Sequence, residues 1–120
     1  MKYLVAILTA IGIMVSGNTA PADQQIKVEL RKELIPICAC ESTGDKNKEP
    51  THYDKDGNVL QGKINPKDTG ICQINLTAHK VQAEKMELDL FKESDNIIYA
   101  NWLYAKEGAK PWSWSKNCWQ

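Results

Sequence analysis

Leu34-Ile35-Pro36-Ile37-Cys38-Ala39-Cys40-Glu41-Ser42-Thr43-Gly44 is an apolar run that ends in a carboxylate and two hydroxyls and is closed by glycine. Upstream, Ile26 and Leu30 continue the three- and four-residue spacing of Leu34 and Ile37, with Lys27, Arg31 and Lys32 off the stripe. Helical character is therefore expected from Gln24 to Ser42. Pro36 interrupts the pattern. Either the helix kinks there, or a first helix ends near Leu34 and a second starts with Pro36 in its first turn. Both versions make Cys38 to Ser42 helical and let Gly44 end the helix. Each helical residue turns about 100°, so Cys38 and Cys40 point about 200° apart and should find different partners.

The 120-residue chain carries 15 Lys+Arg against 15 Asp+Glu, with a pI near 6.7. That balance gives no overall pull toward nucleic acid or an anionic membrane. With 42% hydrophobic residues, four Trp and four Tyr, the chain is not a disordered tail, and its length allows one domain. The first 22 residues read as a secretory signal peptide: Lys2, an apolar run from Leu4 to Val15, then small and polar residues ending in Ala20-Pro21-Ala22. Cleavage is expected after Ala22. The apolar run of about twelve residues is shorter than the roughly 20 of a membrane span, which disfavours an uncleaved anchor.

Removal of residues 1–22 leaves 98, the domain 23–120, with 14 positive against 15 negative charges. A domain of this size has a modest core, and covalent support fits it. Cys38, Cys40, Cys72 and Cys118 all lie in it, and export places them where disulfides form. Four cysteines allow three pairings. The rival, zinc held by these cysteines with His52 or His79, lacks the two-residue spacer of zinc knuckles, since the pair is Cys38-x-Cys40. Asp54-Lys55-Asp56-Gly57-Asn58 resembles the start of a calcium loop, but position six is Val59 and position twelve is Asn65, so the glycine and glutamate rules both fail. No metal and no cofactor is expected.

Further along, Thr51 to Gln61 reads as a β-hairpin turning at Asp54–Asn58. Thr77 to Met86 reads as a helix capped by Thr77 or Asn75. Leu88–Phe91 is a short helical turn, and Asp95 caps a stronger helix over Asn96 to Glu107, with Ile97, Ala100, Leu103 and Tyr104 on one stripe and Gly108 at its end. The expected class is α+β, mainly α, with one small hairpin and disulfide staples.

Glu41 is the leading chemical candidate. It ends an apolar helix, at the lip of the core, where burial disfavours the charged carboxylate and raises the pKa toward what a general acid needs. Read together, Glu41-Ser42-x-Gly44, Gly70-x-x-Gln73-Ile74-Asn75 and Asn96-Ile97-x-x-Ala100-x-x-Leu103-Tyr104 resemble the soluble lytic transglycosylase (SLT) domain of the lysozyme-like superfamily over Leu34 to Tyr104. The resemblance implies a lysozyme-like fold and cleavage of the β-1,4 bond between N-acetylmuramic acid and N-acetylglucosamine in bacterial peptidoglycan. Glu41 would be the catalytic acid and base, Ser42 would help orient it, and Gln73 and Asn75 would lie on the glycan groove. The implied partner is the glycan strand, the implied location secreted or periplasmic, and the implied state a monomer without stable membrane insertion.

The chain departs from the family where an Ala-Tyr-Asn-x-Gly segment usually follows the third helix; Pro111 to Trp119 stands there instead. A Cys40–Cys118 bridge would bring this Trp-rich tail beside Glu41, leaving Cys38–Cys72 as the second bridge. All four tryptophans (Trp102, Trp112, Trp114, Trp119) lie in the last nineteen residues. Trp112 is the expected sugar-stacking residue, with Trp102 and Trp119 read as core. His52 and His79 are expected at the surface. A hydrolase would need a second carboxylate, for which Asp54, Asp56 and Asp68 are candidates. Goose-type lysozymes carry aspartate where this chain has Asn75, which leans toward transglycosylation. A glycan-binding module without turnover is the reading from another class.

Overall fold

The computed structural model describes residues 28–120; the expected signal peptide and the start of the first expected helix lie outside them. The described chain is α+β and mainly helical. Helix α1 (Leu34–Thr43) is followed by short strands β1 (Asp68–Thr69) and β2 (Ile74–Asn75), helices α2 (Leu76–Lys85) and α3 (Glu93–Glu107), a 3-10 helix (Lys110–Ser115) and α4 (Lys116–Trp119). No helix among the described residues is long and apolar enough to cross a membrane.

The helix expected from Gln24 is corrected over 28–33, which is not helical. There the backbone pairs with α3 instead: Arg31 N–H donates to Asn101 Oδ1 at 3.0 Å, and Asn101 Nδ2 donates to the Glu29 carbonyl at 2.9 Å. Helix α1 starts at Leu34, with Pro36 in its first turn, where an absent N–H breaks no helix hydrogen bond. Its buried face is Leu34, Ile37, Cys38, Ala39 and Cys40. Gly44 ends it in the left-handed region (φ 81°), donating to the Cys40 carbonyl.

The expected hairpin is reduced to a Tyr53–Val59 bridge, closed by Asp54 N–H on the Asn58 carbonyl and Leu60 N–H on the His52 carbonyl. The chain then folds back: Gln61 bridges Thr69, and β1 pairs antiparallel with β2, Asp68 opposite Asn75 and Thr69 opposite Ile74. Thr69 is buried, so Asp68, its neighbour along the strand, faces the other way. Asn75 caps α2 by accepting from Ala78 N–H at 3.0 Å. Helix α3 starts two residues before Asp95, which is not its cap: the Asp95 carboxylate accepts from Asp89 N–H and ties down the preceding turn. Its Ile97, Ala100 and Leu103 enter the core with Leu34, Ile37, Ile71, Ile74, Tyr99 and Trp112.

Two buried polar side chains tie the 69–72 segment to α3 and to the turn that precedes it. Asn96, fully buried, donates to the Thr69 and Leu90 carbonyls and accepts from Cys72 N–H. His52, expected at the surface, is 2% exposed: Nδ1 accepts from Ile71 N–H at 3.0 Å and Nε2 donates to the Phe91 carbonyl at 2.8 Å. Every polar atom of its ring is satisfied, so burial costs it little. His79 is half-buried, with Nδ1 2.8 Å from the Tyr99 hydroxyl. Gly70 (φ 80°) sits where a Cβ would meet Asn96 Nδ2 at 2.5 Å and His52 Cε1 at 2.6 Å. Disulfides join Cys38 to Cys72 and Cys40 to Cys118, with Cα–Cα distances of 4.5 and 6.0 Å.

Candidate active site

Glu41 lies in the last turn of α1, between the apolar face that anchors the helix and the Gly44 terminus. The Cys40–Cys118 bridge, one residue before it, fixes the C-terminal tail alongside. The Cys38–Cys72 bridge fixes the Gly70–Asn75 segment on another side of the same helix.

The tail reaches the carboxylate through Ser115, whose hydroxyl donates to Glu41 Oε2 at 2.5 Å. Ser115 Oγ also lies 3.2 Å from the Trp112 carbonyl, but the hydroxyl has one hydrogen and the shorter bond, to a charged acceptor, holds it. Trp119 Nε1–H donates to Ser115 Oγ at 3.1 Å and to the Trp112 carbonyl at 3.3 Å. A chain of donation therefore runs from the Trp119 indole through Ser115 to Glu41. No described residue makes a hydrogen bond to Glu41 Oε1.

Burial is the main force on Glu41 and raises its pKa above the ordinary carboxylate value. The Ser115 bond opposes this, since it favours the charged form, and the like charge of Asp68 adds to the rise. Asp68 accepts at Oδ1 from Asn75 Nδ2 at 3.0 Å, which fixes this carboxylate and Asn75 on one side of the β1–β2 pair.

The other aspartates are placed differently. Asp54 Oδ1 accepts from Asp56 N–H and Asn58 N–H, so its side chain shapes its own turn, and Asp56 is exposed on that turn. Ser42 Oγ donates to the Cys38 carbonyl at 2.8 Å and accepts from Thr51 N–H at 3.0 Å, joining α1 to the hairpin segment. Gln73 (φ 51°, 9% exposed) turns its amide nitrogen onto the Gly70 and Leu60 carbonyls, bracing the turn before β2.

Trp112 does not occupy the open position expected of a stacking residue. It is 3% exposed and its indole N–H donates to the Cys72 carbonyl at 2.9 Å, so its ring fills the core beneath the tail. Trp114, two residues on, is 98% exposed.

Sequence reasoning missed Ser115 as the partner of Glu41 and Trp119 as the partner of Ser115. The available signal was spacing: on a helical tail Ser115 lies one turn before both Cys118 and Trp119, next to whatever Cys118 is bonded to. No family model, no curated protein and no solved structure matches the chain.

Proposed function

We propose that this protein cleaves the β-1,4 bond between N-acetylmuramic acid and N-acetylglucosamine in peptidoglycan, on a lysozyme-like fold, with Glu41 as general acid and then base. The observation that carries the reading is the state of Glu41: half-buried, raised in pKa, held at Oε2 by a hydroxyl donor and, among the described residues, without a hydrogen-bond partner at Oε1. A donor on one oxygen leaves the proton to reside on the other, which is the arrangement a general acid uses.

In the first step the Oε1 proton passes to the glycosidic oxygen while the bond from muramyl C1 to that oxygen breaks, its electron pair leaving with the N-acetylglucosamine. The resulting carboxylate then takes the proton of the muramyl 6-hydroxyl as that oxygen attacks C1. A 1,6-anhydro sugar forms, Glu41 is again protonated, and no water is consumed. Two disulfides in so short a chain accord with work in an oxidising, exported setting.

Asp68 supports a second reading. Of the three candidate aspartates, it is the one whose charge bears on Glu41 and whose position is fixed by a neighbour, Asn75. A carboxylate there suits activation of water, giving hydrolysis in place of ring closure.

The deciding experiment is the mass of soluble fragments released from purified peptidoglycan by the oxidised protein. Fragments one water lighter than hydrolytic products, absent with Glu41→Gln, are expected. Full-mass fragments that disappear with Asp68→Asn would establish the hydrolase. Release of no fragments at all would overturn both.

A further inference from the structure

We propose that Ser115 is the positioning residue of Glu41 and that the Trp119 indole sets it for that role. The inference rests on the catalytic reading of Glu41 and adds the device that selects which carboxyl oxygen works.

A glutamate side chain has three rotatable bonds, and a half-buried one without a partner samples several rotamers. Ser115 holds Glu41 at Oε2, and no other described residue bonds Oε1, so the acid proton is directed to one oxygen. A serine hydroxyl can itself rotate, but here Trp119 Nε1–H occupies an acceptor position on Ser115 Oγ, which turns the hydroxyl hydrogen away from Trp119 and toward Glu41. The Trp112 carbonyl, accepting from the same indole at 3.3 Å, fixes the Trp119 ring. Both ends of this relay adjoin one disulfide: Glu41 follows Cys40, and Trp119 follows Cys118. The carboxylate of Asp68 is the charged group bearing on Glu41 among the described residues, and it acts in the opposite sense to Ser115.

The test is the carboxyl 13C NMR titration of Glu41 in the oxidised full domain, run on the parent, Ser115→Ala, Ser115→Thr and Trp119→Phe, with near-ultraviolet circular dichroism to verify the fold. Loss of the hydroxyl donor removes support for the charged form, so the Glu41 midpoint is expected to move up in Ser115→Ala, to return in Ser115→Thr, and to move up in part in Trp119→Phe. On peptidoglycan, kcat is expected to fall roughly ten- to a hundredfold in Ser115→Ala, the scale of a lost hydrogen bond to a charged group, with KM little changed. The high-pH limb of the profile should move up with the Glu41 midpoint. An unchanged midpoint in folded Ser115→Ala would overturn the inference, as would failure of threonine to restore it. A midpoint that shifts as expected in a protein that releases no fragments would leave the Ser115–Glu41 coupling standing and remove the enzymatic reading.

Discussion

Replacing Cys40 and Cys118 together by alanine should cost the domain more stability than any other pairwise change near the site. The bridge joins residues separated by 78 in sequence, and on the chain-entropy relation a loop of that length constrains the unfolded chain by about 4.5 kcal/mol. The Cys38–Cys72 bridge, with a separation of 34, gives about 3.8 kcal/mol on the same relation. Against a total stability of about 5–15 kcal/mol for a small domain, either loss is large. With a urea m-value of roughly 1.5 kcal/mol/M, removal of the longer loop lowers the midpoint by about 3 M, and m itself should rise because the uncrosslinked chain unfolds further. Urea titrations followed by far-ultraviolet circular dichroism on the parent and on each double-alanine variant measure all three quantities. The Cys40/Cys118 variant should also show a disturbed Trp119 environment in near-ultraviolet spectra, since its α4 loses its covalent link to α1, whereas the Cys38/Cys72 variant keeps it. A loss below about 1 kcal/mol for the longer loop, or a smaller loss than for the shorter one, would refute the view that these bridges act chiefly on the unfolded state.

Two further changes test the site and its support. Burial makes folded Glu41 hold its proton to higher pH than the unfolded chain does, so its contribution to stability falls as pH rises from the ordinary value of 4.5 through the folded value. Glu41→Gln should therefore be more stable than the parent at pH 7, with the difference shrinking toward zero below about pH 4.5, as read by denaturation over a pH series. His79, pushed down by its own burial, titrates alike in both proteins and cancels in that difference. At Gly70 a methyl group meets both an unfavourable φ of 80° and the side chains of Asn96 and His52, so Gly70→Ala should cost roughly 3 kcal/mol by thermal or urea melting, and a loss under about 1 kcal/mol would mean that those side chains yield easily.

Much of the helical framework was legible because its signals are local. Gly44 ends α1, Asn75 caps α2, and the Ile97, Ala100 and Leu103 stripe forms the buried face of α3. What escaped depends on partners far along the chain. The apolar spacing through Leu30 continues the helical period, yet Glu29 and Arg31 pair with Asn101, some 70 residues away, and the backbone there follows that pairing. His52 sits among polar neighbours and is buried all the same, because the Ile71 N–H and the Phe91 carbonyl supply both hydrogen bonds that its ring requires. In the tail, composition alone does not rank Trp112, Trp114 and Trp119. Which one enters the core is decided by the Cys72 carbonyl waiting for the Trp112 indole, and by the bridge that sets the register of residues 112–119 against α1.

The placement of Glu41 also shows why its support is covalent. Helix α1 has ten residues, and its N-cap residue Glu33 makes no side-chain capping bond. Helices this short are marginal without tertiary packing, and the last turn is where they fray. Glu41 stands in that last turn and, when charged, opposes the folded state through its own burial. A larger protein can fix such a residue with surrounding core, whereas here the apolar side chains available to one short helix are few. Disulfides at Cys38 and Cys40, leaving the helix on different sides, hold its end against both the β1–β2 segment and the tail without requiring more apolar surface. It follows that damage to the core at a distance, around Ala83 or Leu90 for instance, should lower stability while Glu41 keeps its titration. Damage to either bridge should change both together.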